Sequence, residues 1–290
     1  MRTLFIIALA SLFFISPCLS VYPIAVFHGI GDGCDFKNTS TLVNNLAKDL
    51  NTHVECIEIG NGFITSWFRN FTKQAEEACQ NIKENPNFQG KFSVIGISQG
   101  TLIGRYVVEA CNMTGQVMRY LSLDGPQMGI GSLPKITCPI ICDWINRLVS
   151  KIIYTDVVVA NLGPASYYKY KYDYALFLKK NKFLRDLNNE GEIKNALYKE
   201  RFSNLEKVML IRGKQDSVIT PSDSSWFEFY DEKGDKIVSL QESKFYIDDY
   251  IGLRKLTEEG RVSFVELEGE HVIYNQTEYE LYMRDFFADE

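Results

Sequence analysis

Short apolar runs alternate along the chain with longer segments in which apolar residues recur at helical spacing. The apolar runs predict strands at 22–27, 53–59, 92–97, 117–123, 207–212 and 262–267. The periodic segments predict helices at 39–50, 72–84, 101–111 and 277–287. Strands that alternate with helices are typical of βαβ units, in which parallel strands form one sheet. The sequence therefore predicts an α/β fold with a mostly parallel central sheet flanked by helices.

The stretch 130–205 interrupts this alternation of strands and helices. It is mostly helical in character and too long for an ordinary loop. We therefore expect 130–205 to form a largely helical cap insertion over the sheet, within a single domain that spans 21–290.

Two patterns within this insertion leave alternatives open. The segment 144–157 predicts an amphipathic helix, one face of which carries Trp144, Leu148 and Ile152. Such a face either packs into a core or lines an apolar groove. A tyrosine cluster follows, interleaved with lysines, and is compatible with a cap edge, a membrane-surface contact or a solvated element. Its members are Tyr167, Tyr168, Tyr170, Tyr172 and Tyr174.

Residues 1–20 have the pattern of a secretory signal peptide, in which Arg2 precedes a short apolar stretch. A transmembrane anchor is the alternative, but Pro17 interrupts the stretch before the ~18–20 residues that a bilayer requires. No later segment has the length and apolar character of a membrane span. We therefore expect a soluble protein of the lysosome or the extracellular space. The formal net charge of −6 argues against a nucleic-acid binder.

The pentapeptide G-I-S-Q-G at 96–100 stands between the predicted strand 92–97 and the predicted helix 101–111. A G-x-S-x-G in that context is typical of a nucleophile elbow, in which the serine, here Ser98, stands on a sharp turn. The alternative interpretation is a strand-to-helix turn that is capped by a serine.

A serine nucleophile needs a base within hydrogen-bond reach and a carboxylate that orients the base. Of the three histidines, His271 directly follows the last predicted strand, where its loop reaches the same sheet edge as the elbow. Asp216 and Asp124 each follow a predicted strand, and either one preserves the chain order Ser, Asp, His. Chain order alone therefore does not choose between the two carboxylates.

A serine hydrolase also needs two backbone N–H donors for the oxyanion of its transition state. We expect these donors to be Gln99, which follows the nucleophile, and Ile30, in the glycine-rich loop 28–32. His28 is then a loop residue and not the base. No cysteine or histidine cluster has the spacing of zinc ligands, so we expect no metal and no cofactor.

Several segments together resemble the palmitoyl-protein thioesterases, and most of all the lysosomal type 1 branch of that family. The segments are HGIGDGC at 28–34, GISQG at 96–100, FLRDLNNE at 183–190, QDSVITP at 215–221, SSWFEFY at 224–230, LQESKFYIDDYIGLRKL at 240–256 and GEH at 269–271. The chain departs from the family pattern at Thr101, at Cys34 and over LDGPQMG at 123–129. The resemblance covers almost all of 21–290.

The resemblance implies an α/β-hydrolase that removes long-chain fatty acyl groups, such as palmitoyl, from cysteine thioesters through an acyl-enzyme. Its substrates would be S-palmitoylated proteins or peptides and fatty acyl thioesters. The family motif also favours Asp216 over Asp124 as the acid, which gives the triad Ser98, His271 and Asp216. It further implies an enzyme of the lysosome or of the extracellular space.

The cysteines fit an exported protein, because removal of Cys18 from the seven leaves an even number. We expect the pairs Cys79–Cys111, which the family resemblance supports, Cys138–Cys142 and Cys34–Cys56; free buried thiols are the alternative. Four sequons predict glycosylation sites on the surface. They begin at Asn38, Asn70, Asn112 and Asn275.

Two other functions fit the same motifs. A secreted lipase or carboxylesterase would use the same triad on oxygen esters. A hydrolase-fold protein that has lost its activity would bind a ligand without turning it over. We also consider a transient contact with a membrane surface, without a transmembrane segment.

Overall fold

The computed structural model describes residues 21–133 and 148–288. The predicted signal peptide at 1–20 and the predicted Cys138–Cys142 pair lie outside the described residues. Among the described residues, none of the helices combines the length and the apolar composition that a membrane crossing would require.

A six-stranded sheet lies at the centre of the molecule, in the order β2-β1-β3-β4-β5-β8. Its strands are β1 Ile24–Phe27, β2 Val54–Cys56, β3 Lys91–Ile97, β4 Gln116–Leu123, β5 Lys207–Gly213 and β8 Val262–Leu267. All neighbours pair in parallel, as the sequence predicts. The loops that follow these strands therefore meet at one edge of the sheet, where α/β proteins bind their ligands. A separate antiparallel pair joins β6 Phe229–Tyr230 to β7 Ile237–Val238.

The described helices alternate with these strands and include several short ones that the sequence pattern does not predict. In chain order they are α1 Lys37–Leu50, α2 Phe63–Phe68, α3 Phe71–Glu84, α4 Gly100–Glu109, α5 Asp156–Asn161, α6 Tyr174–Lys180, α7 Phe183–Leu187, α8 Ala196–Ser203, α9 Lys244–Ile247, α10 Leu253–Glu258 and α11 Gln276–Phe287. Single 3₁₀ turns lie at Pro86–Phe88, Gly163–Ser166, Ser222–Trp226 and Leu240–Glu242.

Both faces of the sheet are covered, because successive residues of a strand point to opposite sides. Phe27 and Val94 pack in one core cluster with side chains of α3 and α4. Val26 and Ile95, their immediate neighbours in sequence, pack in a second cluster with α1 and α11. The near-continuous apolar runs of the strands follow from this burial on two sides.

In its described part, the predicted amphipathic helix over 144–157 is interrupted. Residues 148–152 are helical, 153–155 form a turn, and α5 begins anew at Asp156. Leu148 and Ile152 are 43% and 56% exposed, so these two residues do not pack into the core, and Trp144 lies outside the described residues.

The tyrosine cluster is mostly interior, which contradicts a surface role for its first members. Tyr167, Tyr168 and Tyr170 are buried, and only the side chain of Tyr172 is largely exposed. The intervening Lys169 is buried as well, because its ammonium group pairs with a Glu190 carboxylate oxygen at 2.6 Å.

Two of the predicted disulfides are present. Cys34–Cys56 joins the loop after β1 to β2, with 5.5 Å between the Cα atoms. Cys79–Cys111 joins α3 to Cys111, which lies two residues after the end of α4, with 5.6 Å between the Cα atoms. The first bridge therefore fixes the glycine-rich loop to the sheet, and the second ties the two helices that flank β3.

Candidate active site

Ser98 stands on the turn between β3 and α4. Its backbone has φ +51°, which is uncommon for a residue other than glycine, and its side chain lies in a cavity at the sheet edge. The two glycines of the motif are required by close packing. A Cβ on Gly96 would overlap the backbone of Thr101, and one on Gly100 would overlap the carbonyl of Phe27. This is the local geometry of a nucleophile elbow.

Ser98, His271 and Asp216 form one hydrogen-bonded chain. The Nε2 atom of His271 lies 2.8 Å from the Oγ of Ser98, and its Nδ1 atom lies 2.8 Å from the Oδ2 of Asp216. The other oxygen of Asp216 accepts hydrogen bonds from the backbone N–H groups of Val218 and Ile219. The carboxylate is therefore held at both oxygens and aims at the imidazole.

Burial lowers the pKa of His271, but its negative neighbours outweigh that effect. The hydrogen bond and the charge of Asp216 act most strongly, followed by the charges of Asp124 and Glu270, so the net shift raises the pKa of His271. Such an arrangement stabilises the imidazolium that forms when the ring takes a proton from a hydroxyl.

Asp124, the rival carboxylate, lies close to His271 without bonding to its ring. Its Oδ2 atom is 3.9 Å from the imidazole Nδ1, against 2.8 Å for Asp216. The other two histidines lie elsewhere. His28 contacts Glu58 at 2.9 Å, and the half-exposed His53 contacts Glu55 at 2.8 Å. Of these histidines, only His271 reaches Ser98.

The loop 28–32 packs directly against the elbow. A Cβ on Gly29 would lie 3.2 Å from the Cβ of Ser98, so a larger residue would crowd Ser98. Among the described residues, no acceptor takes a hydrogen bond from the backbone N–H of Ile30 or of Gln99. Both groups therefore remain available to a negatively charged oxygen.

Ser66 on α2 connects the two sides of this site, and the sequence interpretation missed it. Its Oγ accepts a hydrogen bond from the N–H of Gly31, and its carbonyl accepts one from the side chain of Gln99. The hydroxyl of Tyr167 donates to the same Gln99 side chain at 2.8 Å. Ser66 thus holds the glycine loop and Gln99, the residue after Ser98, in a fixed relation.

Glu58 anchors the same loop from the other side, and it was also missed. Its carboxylate accepts from the N–H of Cys34 at 2.8 Å and contacts the His28 ring at 2.9 Å. A single glutamate after a strand carries no distinguishing signal in the sequence. Its role depends on the loop's path, which only the structure gives.

A cavity of about 590 Å³ opens at Ser98 and His271. Apolar side chains form much of its wall, among them Ile30, Leu42 and Val218. The size lies within the ~300–1,000 Å³ typical of small-molecule sites. No described residue of 148–157 lines this cavity, so the face with Leu148 and Ile152 is not its wall.

Asp124, Asp216 and His271 also bring potential metal-ligand atoms within 4.8 Å of one another. However, each carboxylate already accepts hydrogen bonds from backbone N–H groups. Donor hydrogens directed at the oxygens oppose a cation there, and the imidazole is engaged on both nitrogens. The arrangement fits proton transfer better than metal binding, and the absence of a metal and of a cofactor stays a prediction.

Residues 23–271 match the family model described as "Palmitoyl protein thioesterase". The chain belongs to this family. Palmitoyl-protein thioesterase 3 of Dictyostelium discoideum is 34% identical over 244 residues, which are 83% of this chain and 82% of that protein. Palmitoyl-protein thioesterase 1 of Caenorhabditis elegans is 30% identical over 258 residues, or 86% of each chain. These matches confirm the prediction that the chain is an enzyme of the palmitoyl protein thioesterase family.

Solved structures support the fold. The crystal structure of carboxyl esterase 2 from Tuber melanosporum superposes with a TM-score of 0.51 at 13% identity. The match covers 92% of this chain and 79% of the esterase. The predicted α/β-hydrolase fold is therefore confirmed, while identity at this level says nothing about the substrate.

Proposed function

We propose that this chain hydrolyses thioesters and removes long-chain fatty acyl groups, such as palmitoyl, from S-acylated cysteine in proteins or peptides. The hydrogen-bonded chain from Ser98 through His271 to Asp216 at an apolar cavity carries this proposal. The family assignment supports the thioester as the bond that is cleaved. A cavity wall of aliphatic side chains supports an acyl ligand, because each buried CH₂ contributes about 0.8 kcal/mol.

In the proposed reaction, His271 Nε2 takes the proton of the Ser98 hydroxyl as Oγ bonds to the thioester carbonyl carbon. The N–H groups of Ile30 and Gln99 stabilise the oxyanion, and Asp216 stabilises the imidazolium. The tetrahedral intermediate breaks its C–S bond, and the imidazolium protonates the departing cysteine thiolate. Water, activated by the same imidazole, then hydrolyses the acyl-enzyme to a free fatty acid and regenerates Ser98.

Parallel hydrolysis assays test the choice of substrate. Palmitoyl-CoA, an S-palmitoyl peptide and a triglyceride should be incubated with the wild-type protein and with Ser98→Ala. We expect the wild type to cleave both thioesters and to leave the triglyceride nearly intact. Faster turnover of the triglyceride would instead favour a secreted lipase or carboxylesterase. If a fluorophosphonate probe did not label Ser98, an inactive binding protein would be favoured.

We propose that the protein acts in the lysosome or outside the cell. The disulfides Cys34–Cys56 and Cys79–Cys111 support this, because such bonds form in the secretory pathway. Three sequon asparagines, Asn38, Asn112 and Asn275, are exposed. Asn70 is less accessible, since its side chain caps α3 and donates to the carbonyl of Val159.

We also propose a transient contact with a membrane surface, made by α2 instead of the tyrosine cluster. Phe63, Ile64 and Phe68 on this helix are 47%, 55% and 63% exposed. Phe63 stacks on the exposed Phe36, and Trp67 lies against Gly31 of the loop that faces Ser98. Exposed aromatic residues of this kind favour the interface between lipid headgroups and acyl chains.

Replacing Ile64 and Phe68 together with serine should weaken binding to phosphatidylcholine vesicles in a sedimentation assay. It should also slow the cleavage of a vesicle-bound S-palmitoyl peptide, while the cleavage of soluble palmitoyl-CoA stays near the wild-type rate. Ile193→Ser is the matched control, because Ile193 is 94% exposed and lies in a loop outside α2. Equal vesicle binding by the double variant and the wild type would contradict the proposed contact.

A further inference from the structure

Asp124 is a buried carboxylate that accepts three hydrogen bonds. It follows β4, its backbone has φ +48°, and its side chain has no exposed surface. One oxygen accepts the N–H of Gly213 at the end of β5. The other accepts the N–H of Val272 at 2.7 Å and the hydroxyl of Tyr274. Asp124 therefore links the ends of two central strands to the loop that carries His271.

The loop needs such a link, because its backbone is strained next to the imidazole. Val272 directly follows His271 and has φ +56°, which is a genuine outlier for a β-branched residue. Strain of this kind persists only where surrounding contacts hold it. The bond from the N–H of Val272 to Asp124 is such a contact, and it fixes the direction in which the His271 side chain leaves the backbone.

Asp124 also contributes charge. The carboxylates that face His271 are Asp216 from the loop after β5, Asp124 from the end of β4 and Glu270 from the same loop as the histidine. Burial is the largest effect on the pKa of Asp124 and leaves it raised, although the nearby imidazole, the Tyr274 hydroxyl and the Val272 N–H lower it. With its Oδ2 atom 3.9 Å from Nδ1, the Asp124 carboxylate lies close enough to favour a charged ring without bonding to it.

We propose that Asp124 is a positioning residue for His271, which holds the histidine loop in its strained conformation and adds a second negative charge beside the ring. This role rests on the proposed function, since it presumes that His271 activates Ser98. Asp124 lies within 123–129, where the sequence departs from the family pattern. The positioning role of Asp124 is therefore a feature of this chain and is distinct from the family's triad.

The labelling rate of Ser98 by a long-chain fluorophosphonate tests this proposal without assuming a thioester substrate. In that reaction the Oγ of Ser98 bonds to phosphorus, fluoride leaves and His271 takes the hydroxyl proton. The second-order rate constant should be measured against pH for the wild type, Asp124→Asn, Tyr274→Phe and Glu278→Gln. Glu278→Gln is the control, because it removes an exposed carboxylate seven positions after His271. Thermal denaturation reports the folding of each variant.

We expect Asp124→Asn to label about 10²-fold more slowly on the pH plateau, because a small misplacement of the base has effects of that order. Labelling needs neutral His271, so the rate falls as the pH drops through the pKa of that ring. Loss of the Asp124 charge lowers this pKa, and the acid limb of the profile should move to lower pH. With palmitoyl-CoA, kcat should fall while KM stays unchanged.

Tyr274→Phe removes one donor to Asp124 but keeps the carboxylate. It should slow labelling severalfold without moving the acid limb to lower pH. If folded Asp124→Asn labelled at the wild-type rate with an unchanged profile, the proposal would be overturned. If Asp124→Asn did not fold, an unchanged rate for Tyr274→Phe would overturn it. A wild-type protein that did not label at all would instead overturn the proposed function, and the role of Asp124 with it.

Discussion

Replacing Ser98 or His271 with alanine should lower the turnover of palmitoyl-CoA by about 10⁶-fold, the loss seen when a comparable triad loses its nucleophile or its base. The expectation follows from the 2.8 Å contact between His271 Nε2 and Ser98 Oγ. Without the hydroxyl there is no acyl-enzyme, and without the imidazole the hydroxyl keeps its proton. Steady-state kcat is the quantity to measure, with thermal denaturation to show that both variants fold.

His53→Ala is the matched control for the histidine, because this ring is half-exposed. Among the described residues, Glu55 is the side chain with which it forms a hydrogen bond. It should leave kcat near the wild-type value. A reversed result, in which His53→Ala loses activity and His271→Ala keeps it, would show that the base has been misassigned.

Asp216→Asn should lower kcat by about 10⁴-fold, as the same change does in other triads. The Oδ1 atom of Asp216 accepts two backbone N–H groups, so the oxygen of an asparagine would take that position. Its amide nitrogen would then face Nδ1 of His271 and stabilise the wrong tautomer. The Nε2 atom of the ring would then carry a hydrogen and could not accept the proton of the Ser98 hydroxyl.

A comparison with Asp124→Asn under the same conditions decides which carboxylate is the acid. Asp124 is expected to have the smaller effect, because its nearer oxygen is 3.9 Å from Nδ1. A larger loss in Asp124→Asn than in Asp216→Asn would transfer the role of the acid to the end of β4.

The sheet, the elbow and the position of the histidine could be predicted from the sequence. Each depends on a local pattern: buried runs for β3 and β4, glycines that allow a tight turn at Ser98, and a histidine directly after β8. Asp216 and Asp124 could not be separated in this way, because both follow a strand that ends at the same edge. Only the resemblance to the family favoured the residue that contacts His271.

Features that depend on distant partners could not be predicted. The segment FITSWF of α2 has no polar face at helical spacing, so nothing marked it as a helix or Ser66 as a link between Gly31 and Gln99. The lysines among the tyrosines left a cap edge, a membrane-surface contact and a solvated element as alternatives. Lys169 is instead buried, because its partner Glu190 follows 21 positions later and neutralises its charge.

The position of β8 has a consequence for the order in which a ribosome makes this protein. Ser98 and His271 are 173 positions apart, and β8, which precedes the histidine, is one of the two edge strands of the sheet. Domains tend to fold from the N-terminal side during synthesis. The elbow, the glycine loop and five strands of the sheet are therefore translated before His271, the proposed base. Under the proposed mechanism, the nascent chain is inactive until β8 and the histidine loop have emerged from the ribosome.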